Sequence, residues 1–429
     1  MSARATTTKD RNYLPLARQG ALTSMGWTMA SPSVVLTYLA VEQDLPVLVA
    51  GLLVTSRHMA GLAADVFGLR IAKQTHNRKR LIAVSQCAIG ISFLLLLSAA
   101  IYAPKTAVIA TFFIAVLIGS LAREFNNLLI TDLLGDTVQA ENRRNMQYKQ
   151  LFLAAIGVIV LTASSHWALL EHPSSTRHAI IIITAIVCFF LAAALMRAVR
   201  DTPEERLSGA KETADEQQAE HISGLLSKQT LELFRQTWFQ RFMVVRLLGF
   251  AASLSVPFFA LITALNHSKS NHGLAALIIS TAAAMAISSW VWRGLNEKSN
   301  QLVLVLGALL VAATGILILA NHYLNFAGSV YFHATVLFVA TVALKGITIA
   351  LRLHFMEVAP KDQRLSALAA AKSTGKLFVI GLSIVFAAAA HAGSIIFVIA
   401  ALIVISIATA FTGMHMTPQT QRTPTPEPV

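Results

Sequence analysis

Twelve apolar stretches run along this chain, and the basic residues between them fall on alternate connections. The stretches cover roughly 21–41, 46–69, 81–102, 106–130, 147–168, 178–197, 240–265, 273–293, 301–320, 329–353, 366–390 and 393–414. Of the 34 Lys and Arg, only Lys105, Arg177 and Lys269 lie on the odd-numbered connections; most others lie in the termini and the even-numbered ones. That is the positive-inside pattern of a polytopic membrane protein, and it predicts both termini in the cytoplasm. Each stretch has about the 20 residues that a helix needs to cross a bilayer, whereas barrel strands are shorter and alternating. The expected fold class is therefore an all-α membrane protein, with 12 transmembrane helices in two pseudo-symmetric six-helix bundles.

Composition narrows the function. With 55% hydrophobic residues and 13% charged ones, a water-soluble domain is excluded. The net charge of +13 is spread over the connections and not gathered into a basic stripe, so membrane lipids are expected partners and nucleic acid is not. Cys87 and Cys188 fall inside apolar stretches and read as packing residues. The first twenty residues are polar and basic, which predicts that no signal peptide is removed. No phosphate-cradling Gly-Lys-Ser loop occurs, so ATP drive is not indicated.

The organisation expected is a cytoplasmic segment (1–20), a first bundle (21–197), a cytoplasmic linker carrying an amphipathic helix over its second part, 222–239 (198–239), a second bundle (240–414) and a disordered tail (415–429). The halves match in sequence at three places. Ala-Ser-Pro32 faces Ser-Val-Pro257 at a displacement of 225; Asp136 precedes Arg143 as Glu357 precedes Arg364, at 221; and the starts of stretches two and eight align at 226. Three matches in order at nearly one displacement indicate a duplicated six-helix unit.

With the 6+6 plan, the central linker, the basic connection after stretch two and the turns Val138-Gln-Ala-Glu-Asn-Arg143-Arg144 and Pro360-Lys-Asp-Gln-Arg364, the chain resembles the major facilitator superfamily of secondary transporters. The resemblance covers everything but the tails. It implies alternating access in a plasma (inner) membrane, a small-molecule substrate, coupling to protons, a monomer and no cofactor. In such proteins helices one, four, seven and ten line the central path. By position that selects Trp27, Tyr38, Glu124, Asn127, Phe258, His333 and Lys345. Asp136, Arg143, Glu357 and Arg364 become gating-loop residues, and Pro32 and Pro257 become bending points. The family's Gly-x-x-x-Asp-x-x-Gly-x-Arg signature appears literally as Gly61 to Arg70, containing Asp65 and Gly68. Aligning Glu297 with residue 72 at a displacement of 225 instead leaves Asp65 about two turns inside the membrane, so Asp65 reads either as a loop residue or as a buried acid.

Ionisable groups at membrane depth are costly and default to function. Asp65 and Glu124 are the acids well inside the stretches, and with His58 they are the proton-coupling candidates. Each acid reads equally well as a member of a fixed ion pair. Among the basic residues, Arg246, Lys372 and Lys376 lie near helix ends where long side chains reach the interface. Arg57, Arg123 and Lys345 remain as cavity residues, leaning towards a small organic, anionic solute. Histidines crowd the connections opposite the termini but lack a tight ligand spacing, so no metal site is expected. The leading function is a proton-coupled secondary transporter and not an enzyme. A multidrug or siderophore exporter of the antiporter type is the alternative, with a non-transporting sensor or a membrane-embedded enzyme as other classes.

Overall fold

The computed structural model describes residues 12–74, 77–138, 140–199, 228–325, 328–360 and 363–415. Leu-, Ile- and Ala-rich runs fold as helices because a bilayer interior offers backbone groups no other partner. The first traversal is α1 (Tyr13–Met29), a π turn (Pro32–Leu36) and α2 (Thr37–Glu42). Then come α3 (Val47–Gln74), α4 (Arg78–Tyr102), α5 (Lys105–Thr137), α6 (Ala140–Ala168) and α7 (Ser174–Leu195). The second half opens with short α8 (Lys228–Arg235), and its first traversal is split into α9 (Thr237–Ala252) and α10 (Ser255–His267). It continues with α11 (Gly273–Lys298), α12 (Asn300–Leu324), α13 (Val330–Val358), α14 (Arg364–Ala389) and α15 (Ile395–Met414). Eleven spans among the described residues are long and apolar enough to cross a membrane; the twelfth traversal, the interrupted first one, is not among them.

Twelve traversals return the chain to the face where it began, called here the termini face, as opposed to the far face. The packing partnerships repeat between halves: α3–α5, α4–α5, α4–α7 and α1–α7 in the first recur as α11–α13, α12–α13, α12–α15 and α9–α15 in the second. The halves meet along α3–α14, α6–α11 and α2–α10. Large apolar side chains such as Leu95, Phe152, Phe397 and Val404 stay exposed, as a lipid-facing surface requires.

The duplicated unit is visible in local chemistry. Arg143 Nε donates to the Val138 carbonyl (2.8 Å) and Arg364 Nε to the Ala359 carbonyl (3.0 Å), each five residues back. Val138 and Ala359 are the C-caps of α5 and α13, so each arginine satisfies an orphan carbonyl at the negative end of a helix. The third helices α4 and α12 are both 25 residues long and are N-capped by Asn77 and Ser299 through Arg80 N and Leu302 N.

Several boundaries differ from expectation. The first helix starts at Tyr13, because Leu16 and Ala17 are buried in a cluster with Ile82, Leu129, Leu133 and Met146. Pro32 opens the π turn, where the Thr37 hydroxyl takes up its carbonyl (3.0 Å). Pro257 sits in the first turn of α10, where its missing N–H costs nothing, and the interruption falls before it at Ser253–Leu254. Of the expected amphipathic helix, α8 is described, and Trp238 belongs to α9 instead. Residues 1–11, 200–227 and 416–429, with most of the expected linker and tail, lie outside the described residues.

Candidate functional site

Three polar layers cross the contact between the halves. Nearest the termini face, Asp65 of α3 accepts from two lysines of α14, Lys372 Nζ (2.7 Å) and Lys376 Nζ (2.5 Å), while Lys376 also donates to the Gly61 carbonyl (2.7 Å). Helix α3 is unbroken to Gln74, so Asp65 stands inside it, about 13 Å of helix rise before its end. The whole Gly61–Arg70 pattern therefore lies on a helix and not on a loop. One helical turn after another, the same seam carries Thr55 against Ser383 (Oγ1 to Oγ, 2.8 Å) and Gly51 against Ala387. A Cβ at Gly51 would fall 2.7 Å from the Ala387 Cβ, so glycine is what lets the backbones approach here.

At mid-depth lies a second group. Arg57 donates from Nη1 to Ser33 Oγ (3.1 Å), tying α3 to the π turn of the first traversal. The Arg123 guanidinium of α5 lies over the Trp27 ring, 4.5 Å from its centroid, and that indole is fixed edge-on by Phe93 and Phe189. Lys345, midway along α13, lies within electrostatic range of both arginines, so a cation of the second half faces two of the first. Its side chain keeps accessible surface although it stands in range of these groups of the first half. Glu124 is within electrostatic range of Arg57, Arg123 and Lys376, and His58 within range of Arg57 and Lys376. Among the described residues, no carboxylate lies within 4.0 Å of Arg57, Arg123 or Lys345. Ser120 and Thr341, one turn before Arg123 and Lys345, are buried with hydroxyls that have no partner, as is the Trp27 Nε1–H. Asn127, after Glu124 on α5, is exposed.

The third layer is at the far face. The Tyr38 hydroxyl donates to the His267 carbonyl (2.6 Å), and Arg177 donates to the Asn271 carbonyl (3.1 Å) and Oδ1 (2.7 Å). His166 Nε2 and His272 Nδ1 stand 2.8 Å apart across the halves, and His178 Nδ1 is 2.6 Å from Glu42 Oε2. Among the described residues no three His, Cys, Asp or Glu converge as a metal site.

The residues selected from sequence thus separate. Trp27, Arg57, His58, Arg123, Glu124 and Lys345 come together, while Asp65 pairs with the lysines. Tyr38 and His333 do not join the group: His333 is 3.2 Å from His267 at the far face, and Lys345 lies about 18 Å further along α13. Phe258 is buried in this structure, edge-on to Phe386. In the gating turns, Glu357 accepts from Asn300 Nδ2 and not from Arg364, and the side chain of Asp136 lies outside the described residues. Lys372 and Lys376 were missed because their partner is on α3, about 300 residues away in sequence, and nothing local signals it.

Comparison with known proteins agrees with this architecture. The family model described as Major Facilitator Superfamily matches residues 19–380. A D-xylose-proton symporter superposes with a TM-score of 0.71 at 14% identity, covering 95% of this chain and 98% of that one. The nucleoside transporter NupG gives 0.66 at 13% identity, covering 94% and 98%. The inward-open xylose transporter XylE from E. coli gives 0.68 at 14%, covering 96% and 97%. A curated relative, the uncharacterized protein Rv2209 of Mycobacterium tuberculosis, is 30% identical over 164 residues, 37% of this chain. This chain spans only 30% of the length of that relative. The match over most of the chain, on twelve traversals arranged as a repeated six-helix unit, settles the family: the chain belongs to the Major Facilitator Superfamily and is an integral membrane protein.

Proposed function

We propose that the protein is a proton-coupled secondary transporter that moves a small organic solute by alternating access. In this reading the termini face is cytoplasmic and the membrane is the plasma (inner) membrane, as the alternating basic connections indicate. The observation that carries the proposal is Glu124: an acid at mid-depth, in range of arginines of the first half and a lysine of the second, without an ion pair of its own among the described residues. The cations around it belong to both halves, so its surroundings change as the halves move. Asp65 has the other role, a latch between α3 and α14 on the cytoplasmic side. His58 stands in range of Lys376 and is the second proton-carrying candidate.

Separate sets of cross-half ties at the two faces, both formed in this structure, support the reading; in it, each set opens in turn. Import is favoured over export by the similarity to a proton symporter. The test is purified protein in liposomes, supplied with a mixture of small organic solutes and an inward proton gradient, with the contents read by mass spectrometry. The expected outcome is accumulation of a solute above its external concentration, abolished by a protonophore. Accumulation that survives the protonophore contradicts proton coupling; loss of solute from preloaded vesicles under the same gradient identifies an exporter.

A further inference from the structure

Resting on that transport reading, we propose that the mid-depth group is a binding site for a small oxyanion-bearing solute, a carboxylate or phosphate monoester, and that proton and anion bind cooperatively through Glu124. The argument is one of unmet charge. Arg57, Arg123 and Lys345 supply three positive charges and Glu124 one negative, which leaves two in excess. Neighbouring cations do not relieve this: Lys372 and Lys376 are engaged by Asp65, and His58 adds no negative charge. Charges held at this depth without an ion pair are costly unless a counter-ion meets them, and a counter-ion can reach them through the accessible surface beside Lys345.

A neutral group points the same way. Among the described residues the Trp27 Nε1–H is buried without a partner, in the ring over which Arg123 lies, so an unmet donor stands beside the cations. A ligand of many acceptors and few donors suits it. Two guanidinium forks on the first half and an ammonium on the second also mean that one oxyanion contacts both halves at once. Closure around such a ligand brings Lys345 towards Arg57 and Arg123, which without the anion would repel it. An uncharged sugar offers no such compensation.

Glu124 then sets the link to protons. When it carries a proton the excess rises from two to three positive charges, so the anion binds more tightly; by reciprocity, bound anion favours the protonated acid. The charged groups in range of Glu124 are Arg57 on α3, Arg123 on its own helix and Lys376 on α14; Lys345 on α13 stands in range of the two arginines, and His58 in range of Arg57 and Lys376. Symport of an anion with a proton follows.

The experiment is equilibrium binding to the full chain in lipid nanodiscs, which requires no flux. Benzoate, succinate, citrate and glycerol 3-phosphate serve as anionic probes, with glycerol and D-xylose as neutral ones. At least one anion is expected to bind, roughly 10-fold more tightly at acidic than at alkaline pH. Binding should be lost in Arg123→Met and Lys345→Met, and retained in weakened form in Arg123→Lys, which also shows that the site still folds. In Glu124→Gln the affinity should be high and independent of pH. The proposal is overturned if a neutral probe binds as well as any anion, if no anion binds above the Arg123→Met level, or if the pH dependence persists in Glu124→Gln. Anion binding without gradient-driven accumulation would leave the site standing and remove the transport reading; accumulation of an uncharged solute would do the reverse.

Discussion

Two groups of charges stand inside this membrane bundle, and they differ in how their charges are met. Near the termini face, two lysines converge on one aspartate, with a backbone carbonyl as a further acceptor. At mid-depth, Arg57, Arg123 and Lys345 stand in range of one another and Glu124 in range of the two arginines, without an ion pair among the described residues. In the first group every charge has a direct ion-pair partner, and its contacts join α3 to α14. The second is incomplete, and its incompleteness is chemical information. A saturated cluster holds a structure together, whereas an unsaturated one at the same cost in desolvation is kept for something that comes and goes.

Breaking the unsaturated group should have the largest effect. Arg123→Met is expected to reduce solute accumulation at least ~100-fold, read as initial uptake into liposomes, because it removes a charge that meets the solute directly. Its thermal stability should fall by no more than about 1–2 kcal/mol, since the parent arginine has the Trp27 ring contact but no ion pair to lose. Breaking the saturated group should invert that profile. Asp65→Asn leaves two lysines without their acid; because the Lys372 side chain is 42% exposed, we expect a cost of about 1–2 kcal/mol and not the ~3–5 of a fully buried pair. The thermal midpoint should fall while solute affinity in the remaining folded protein is kept. Combining Asp65→Lys with Lys376→Asp should restore part of the stability; no restoration would mean that the pair is not a latch.

Smaller effects sharpen the same contrast. Thr55→Val and Ser383→Ala should each cost about 1 kcal/mol and be less than additive together, as a double-mutant cycle on stability would show. At the far face, Tyr38→Phe removes one donor to the His267 carbonyl and should cost about 1 kcal/mol. His166→Ala, at an exposed edge, should fall within ~0.5 kcal/mol of the parent.

What the sequence made legible depended on whether the signal was local. The Asp136/Arg143 and Glu357/Arg364 spacing marked the repeat, and the arginines do act alike; that they staple carbonyls and not acids was invisible, since a carbonyl is present at every residue. Helix identity put His333 and Lys345 on one path, but identity does not give depth, and only Lys345 reaches the cations. Helix-end position suggested that Lys372 and Lys376 would reach for the interface. Packing of α14 on α3 turned them inward, a tertiary fact with no local trace. The literal signature around Asp65 invited a loop, yet the unbroken α3 makes it part of a seam.

The central claim is that Glu124 carries the coupled proton within the solute site. Liposomes containing Glu124→Gln test it most directly, comparing gradient-driven accumulation with exchange of solute between equal concentrations on the two sides. The account predicts that exchange continues while accumulation is lost, because the solute is still bound and carried but no proton travels with it. Accumulation equal to that of the parent protein would contradict it.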